Sequence, residues 1–289
     1  MLLPSVWSDY FKEYSPEKAV EMLAKAGFAQ GELSVNHSQK LLTREGSAEQ
    51  IGLKFHTYLQ ELGYCVPQGH LAYKQTLCAE DSVDILKRQL DLFAGIGVHN
   101  AVIHVNGGRE LEPQERFERQ VSALSQLAEY VRGSSIKLCL ENLGSVPQTQ
   151  TVEKLRLFLE AVGSDRLAIC LDVGHLHLTN SRGETAQSHR EFILKAGKDL
   201  RALHITNNNG NGDDHLMPYS ARTGVAWQEV VGALREIDYH GLFNLEILGE
   251  AVCPMPIRHM KLEYIKKMID YMLSDEFLQS DKMQFSCSV

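Results

Sequence analysis

No apolar run in this 289-residue chain reaches the roughly 20 residues that a bilayer-crossing helix needs, so no membrane span is expected. The start, Met1-Leu2-Leu3-Pro4, has no basic segment leading into a long apolar stretch, so a secretory signal is not expected either. The six cysteines (Cys65, Cys78, Cys139, Cys170, Cys253 and Cys287) include no Cys-x-x-Cys pair. Cys139 and Cys170 fall inside apolar runs and read as buried thiols, which points to a reducing compartment and hence the cytoplasm. Positive charge is scarce: 29 Lys plus Arg face 37 Asp plus Glu, a net charge of -8. Such a chain approaches nucleic acid at an electrostatic cost, because non-specific affinity comes from cations on phosphates. Nucleic acid is therefore a disfavoured partner. Low-complexity stretches and a second domain are also missing. What is present, 44% apolar and 23% charged residues, is ordinary for a globular enzyme.

Short β-branched apolar runs alternate with amphipathic helical patterns along the chain. Strands are expected at 2–7, 30–35, 64–67, 100–105, 136–140, 167–171, 201–205 and 242–247. Helices are expected from Ser15-Pro16 to Gly27 and over 48–62, 82–95, 113–132, 152–162, 186–198, 227–237 and 260–273. Ser15 supplies an N-cap and Pro16 the first helical position, while Val83, Leu86, Leu90 and Phe93 recur at helical spacing. Successive strand markers Leu33, Val66, Val102, Leu140, Leu171, Leu203 and Leu245 stand 31 to 42 residues apart. That pitch implies parallel strands with right-handed helical crossovers, and eight of them close into a single-domain (β/α)8 TIM barrel of the α/β class. An open doubly wound sheet would call for a Gly-rich phosphate loop after the first strand, and there is none. The barrel is expected over 1–273, and the polar segment 274–289 reads as a loose tail.

In such a barrel the chemistry sits at the carboxyl ends of the strands. Six of the eight expected strands carry an acid or a histidine there: His70, His104, Glu141, Asp172 (followed by His175), His204 (followed by Asp213 and His215) and Glu246. Glu141, Asp172 and Glu246 each follow an apolar strand, so burial and mutual repulsion raise the cost of ionising all three. A divalent cation relieves that cost, with His204 completing an oxygen-rich shell that suits Mn, Mg or Co, or Zn if more histidines join. His56, His189, His240 and His259 lie in or beside helices and read as surface or packing residues, whereas His37 follows the second strand near the mouth. A small basic patch at Lys40, Arg44 and Lys74 with Tyr73 suits either a phosphate backbone or closure over a small substrate. Trp7, Tyr10, Phe11 and Tyr14 read either as a pocket wall or as helix packing.

The eight-unit pattern, Leu140-Glu141-Asn142, Leu171-Asp172-Val173-Gly174-His175, His204 and the stretch Asp213-Asp214-His215-Leu216-Met217-Pro218 resemble the xylose-isomerase-like TIM-barrel superfamily. That superfamily includes sugar and sugar-phosphate isomerases and epimerases, and also endonuclease IV. The epimerase branch implies one metal ion on Glu141, Asp172, His204 and Glu246, with Glu141 and Glu246 as catalytic proton carriers around a metal-stabilised enediolate. It implies substrate contacts from His175 and, in a supporting role, Glu32, for which the residues alone suggest an ion pair on the barrel floor. Trp7 and Arg222 complete the expected substrate side. The endonuclease branch implies three zinc ions, with His70, His104, His175, Asp213 and His215 as additional ligands. The preferred expectation is a carbohydrate isomerase or epimerase with a small-molecule substrate; self-association stays open.

Overall fold

The computed structural model describes residues 2–222 and 224–280. Eight parallel strands alternate with helices. The strands are β1 Leu3–Val6, β2 Gln30–Leu33, β3 Cys65–His70, β4 Asn100–Ile103, β5 Lys137–Glu141, β6 Leu167–Asp172, β7 Leu200–His204 and β8 Leu242–Leu245. The helices are α1 Pro16–Lys25, α2 Val35–Leu42, α3 Ala48–Leu62, α4 Ser82–Ile96, α5 Pro113–Tyr130, α6 Val152–Val162, α7 Val173–Ser181, α8 His189–Ala196, α9 Trp227–Glu236, α10 Met255–Met272 and α11 Asp275–Ser280. Strands β2 to β7 pair in sequence order, and β1 pairs with β8. The β7–β8 seam is carried by Ile205, whose N–H donates to the Asn244 carbonyl (2.7 Å) and whose carbonyl accepts from Glu246 N–H (3.2 Å). At the β1–β2 seam side chains take over: Gln30 donates to the Pro4 carbonyl and Ser34 N–H to Ser8 Oγ. The approach there is close enough that a Cβ on Gly31 would lie 2.8 Å from the Val6 carbonyl oxygen, which glycine alone permits. The fold is the expected TIM barrel.

Strand alternation sorts the side chains. On β5, Leu138 and Leu140 join the large core between sheet and helices, while Cys139 packs with Val102, Ala168, Cys170 and Ala202 in a second, inner cluster. Two residues further on, the same inward register reaches Glu141 from Cys139, Asp172 from Cys170 and His204 from Ala202. The small inner residues thus form a floor, and the chemistry stands one step above it. Burial drives the Cys139 thiol up to about 12, as expected of a thiol inside the barrel.

Three expectations change. Helices α2 and α7 start directly at strand ends, each capped by a side chain (Ser34 and Asp172) that accepts from the N–H three residues on. Their short lengths gave no long amphipathic signal. Helix α10 starts at Met255, five residues before the expected position, because Pro254 and Pro256 suit a first turn that needs few N–H donors. The loose tail expected from 274 is, as far as 280, the short helix α11, anchored by buried Phe277; residues 281–289 and Cys287 lie outside the described residues. Among the described residues no helix is long and apolar enough to cross a membrane.

Candidate metal centre at the barrel mouth

Glu141, Asp172, His204 and Glu246, from the ends of four successive strands, each bring one ligand atom within 4.8 Å of the others. All four are buried. His204 Nδ1 lies 3.1 Å from Glu141 Oε1, 2.9 Å from Glu246 Oε2 and 3.9 Å from Asp172 Oδ2. Its Nε2 lies 2.9 Å from Glu32 Oε2. A carboxylate can only accept, so Glu32 holds the proton on Nε2 and turns Nδ1 toward the three acids. This is how a carboxylate behind a metal-bound histidine fixes the ring.

Asp172 shows the same division of labour between its two oxygens. Oδ1 caps α7 by accepting from His175 N–H at 2.6 Å. Oδ2 is buried without a hydrogen-bond partner and faces the cluster. An orphaned carboxylate oxygen, two further carboxylates and an oriented imidazole fit a divalent cation. Asn142 locks the platform: its side chain accepts from Asp172 N–H at 2.7 Å and donates to the Asp172 carbonyl at 3.0 Å. Gly174 is required here, since an added Cβ would lie 2.6 Å from Thr206 Cγ2.

Protonation follows from this crowding. Burial pushes Asp172 up, and Glu141, Glu246 and Asp213 push in the same direction against His175, bringing it to about 7. Burial also acts on Glu141, but His204 and His104 outweigh it and hold that carboxyl well below its ordinary range. Glu246 is lowered for the same reason, with His204 overcoming burial. Burial opposes the proton on His204, yet Cys170, Glu246, Glu32 and Glu141 around it keep the ring protonated well above the usual histidine range.

Two further groupings flank the centre. His70 Nε2 and His104 Nε2 lie 3.4 and 2.7 Å from Glu141 Oε2. Asp213 Oδ2 sits 3.1 Å from His175 Nε2 and 3.3 Å from His215 Nε2. In His70, His175 and His215, Nδ1 faces a backbone carbonyl (Leu71, Asn142 and Glu246) at 2.8 to 2.9 Å. Each Nδ1 therefore donates to its carbonyl and leaves Nε2 facing a carboxylate; burial opposes a second proton there, yet the carboxylates raise all three rings above the ordinary histidine value. His215 also occupies the left-handed region (φ 46°), where a non-glycine residue is strained.

A cavity of about 970 Å3 opens over these residues, lined by Glu141, Glu246, His70, His104, His175, Asp213 and His215, but not by Asp172 or His204, which lie beneath. Trp7 forms part of the wall: it stacks on His215 with centroids 5.8 Å apart and donates from its indole to the Ile247 carbonyl at 2.8 Å. Tyr10 and Phe11 go to the core instead. The substrate side otherwise needs correction. Glu32 is 1% exposed and takes no part in the lining, because His204, Gln68 and Asn244 hold it on the barrel floor. Arg222 does not line the cavity either; its backbone N–H donates to Asn209 in the loop after β7. His37 is fully buried against Ser8. Of the basic patch, Lys40 is bound by the carbonyls of Lys12 and Tyr14 and Arg44 by Glu17, leaving Tyr73 on the cavity. His56 and His189 bond backbone carbonyls, as packing histidines do. Asn142 stands in the Leu140-Glu141-Asn142 motif without a role assigned to it, and the sequence singles out none of Gln68, Arg109 and Arg116, since amides and loop arginines show their use only once their neighbours are known.

Residues 20–272 match the family model described as Xylose isomerase-like TIM barrel. The chain belongs to this family. Within it, the chain is similar to the uncharacterized protein y4fM of Sinorhizobium fredii, with 26% identity over 58% of this chain and 53% of that protein. It is also similar to a probable endonuclease 4 of Mycoplasmopsis synoviae, with 23% identity over 47% of this chain and 50% of the other. The chain spans about half the length of the curated relatives it matches. Among solved structures, a D-psicose 3-epimerase with D-tagatose from Clostridium cellulolyticum superposes with TM-score 0.75 at 16% identity, covering 94% of this chain and 100% of that one. That likeness is one of fold.

The Glu32–His204 contact yields a direct expectation. Glu32→Gln removes the charge that holds Nε2–H, and divalent-metal affinity should fall about 10- to 100-fold with the fold intact. Titration calorimetry with Mn against wild type measures it; unchanged affinity would show that Glu32 does not orient the ring.

Proposed function

We propose that this protein is a metal-dependent isomerase or epimerase acting on a sugar or sugar phosphate. The observation that carries the reading is a division within the acidic cluster. Asp172 and His204 lie sealed below, while Glu141 and Glu246 share the cluster and also line the cavity. Two carboxylates thus face a bound molecule from neighbouring positions. Solved sugar 3-epimerases share the fold, which supports the same class.

Glu141, Asp172, His204 and Glu246 would hold the ion, and their oxygen-rich set suits Mn, Mg or Co, with Zn as the choice where histidines join. When bound, a divalent cation would polarise a substrate carbonyl and the neighbouring hydroxyl, which acidifies the C–H on the carbon that bears that hydroxyl. The rest falls to the chain. Glu141 and Glu246 are both held below the ordinary glutamate range, so each is ionised at neutral pH and able to accept a proton. If one glutamate takes the proton and returns it to the adjacent carbon, aldose and ketose interconvert. If the other glutamate has first taken a proton from solvent and delivers it from the opposite face, the centre inverts, and the first glutamate then releases its proton to solvent. His175 lines the cavity, with Nδ1 on the Asn142 carbonyl and Nε2 on Asp213, and would bond a substrate hydroxyl only by exchanging its Asp213 contact.

The flanking groupings favour a second reading, a phosphodiesterase of the endonuclease IV kind with three zinc ions. The Nε2 atoms of His70, His175 and His215, each facing a carboxylate, are what support it. Against it stands the shortage of cations on the cavity, where Arg109 and Arg116 are the lining Lys or Arg residues among the described residues. Tight duplex binding needs about 6–10 phosphate contacts. Metal analysis of purified protein with an activity screen separates the readings. About one ion per chain, with exchange of a ketose C–H proton for deuterium, supports the isomerase or epimerase. Three zinc ions and cleavage of DNA at abasic sites would replace it with the phosphodiesterase.

A further inference from the structure

The cavity is larger than the reacting end of a sugar requires. Its volume of about 970 Å3 stands at the top of the roughly 300–1,000 Å3 spanned by small-molecule sites. The loop after β4 and the first turns of α5 contribute to its lining, and they carry Arg109 and Arg116. Most arginines of this acidic chain are neutralised by a carboxylate: Arg44 by Glu17, Arg119 by Glu115, Arg156 by Asp199 and Arg258 by Glu13. Arg109 and Arg116 form no ion pair among the described residues, and Arg109 reaches only the Ser145 carbonyl, at 3.5 Å. Glu110 lines the same cavity but pairs with neither. Two guanidiniums without an ion pair leave positive charge on the cavity, and an anion with several oxygens offsets it while offering paired acceptors. Glu141, Glu246 and Asp213 line the same cavity and repel such an anion, so a molecule with one anionic end would be oriented by this charge.

We propose that Arg109 and Arg116 form an anion subsite that takes a terminal phosphate or carboxylate of the substrate, leaving its other end over Glu141 and Glu246. The identity of that other end rests on the sugar reading above; the anion subsite does not. The test is binding to metal-loaded protein, read for wild type, Arg109→Ala/Arg116→Ala and Arg109→Lys/Arg116→Lys. The probes are D-fructose, D-fructose 6-phosphate, D-fructuronate and methyl phosphate. Wild type should bind fructose 6-phosphate at least about tenfold more tightly than fructose, and the double alanine variant should lose that preference while the lysine variant keeps part of it. Fructuronate matching the phosphate ester would assign the subsite to carboxylates. Methyl phosphate carries the anion without the sugar and should weaken about tenfold in the double alanine variant. If neither ketose binds but methyl phosphate shows this loss, the sugar reading fails and the subsite stands. Methyl phosphate affinity unchanged between wild type and the double alanine variant, or equal binding of the two fructose forms, overturns the subsite.

Discussion

Glu246→Gln should retain its metal and lose about 10²- to 10⁴-fold in kcat, with KM little changed. The amide keeps an oxygen for a cation but cannot take a proton. Glu141→Gln should lose as much and also lose some stability, because Glu141 faces His70, His104, His175 and His204 at once. The reaction need not be known to measure this. Incorporation of deuterium from D2O into a panel of ketoses reports C–H cleavage directly. Chelation should abolish the exchange and a returned divalent ion should restore it. Exchange at wild-type rates in both glutamine variants would remove these residues from the chemistry.

Metal affinity should climb steeply with pH, by about tenfold or more per unit between pH 6 and 8. Metal-free protein holds protons that a cation must displace. Asp172 is raised to about 7 and His204 sits well above the histidine range. The sign of the linked stability follows. Groups that bind protons more tightly when folded stabilise the fold at low pH, and lose that effect as pH rises through their folded values. For Asp172 the loss runs from about 4 to about 7; for His204, and for His215 at about 10, it begins near 6.5 and continues upward. The metal-free protein should therefore melt at lower temperature at pH 8.5 than at pH 6.5, while metal-loaded protein should not. Calorimetry in buffers of different ionisation enthalpy should detect proton release on binding at pH 7. No release, or a metal-free melting temperature that rises over this range, would show that the cluster does not hold these protons.

Local chemistry determined much of this protein. Alternating apolar runs defined eight strands and most of the helices, because a strand buried on both faces and an amphipathic crossover each leave a periodic mark on the chain. The strand-end acids and histidines were legible for the same reason: a charged residue closing an apolar run has little cause to be there unless something offsets its burial. The tertiary structure decided what those residues meet. Glu32 and Glu246 are both acids near strand ends, yet Glu32 lies within β2, on the floor behind His204, and Glu246 lies one residue past β8 and reaches the cavity. Asp172 serves helix and cluster with different oxygens, a role visible only once α7 begins without a loop. Arg222, expected on the substrate side, does not line the cavity, whereas Arg109 and Arg116, which the sequence did not single out, do. Loop positions carry no periodicity, so where their side chains point is settled by the packing of the whole barrel.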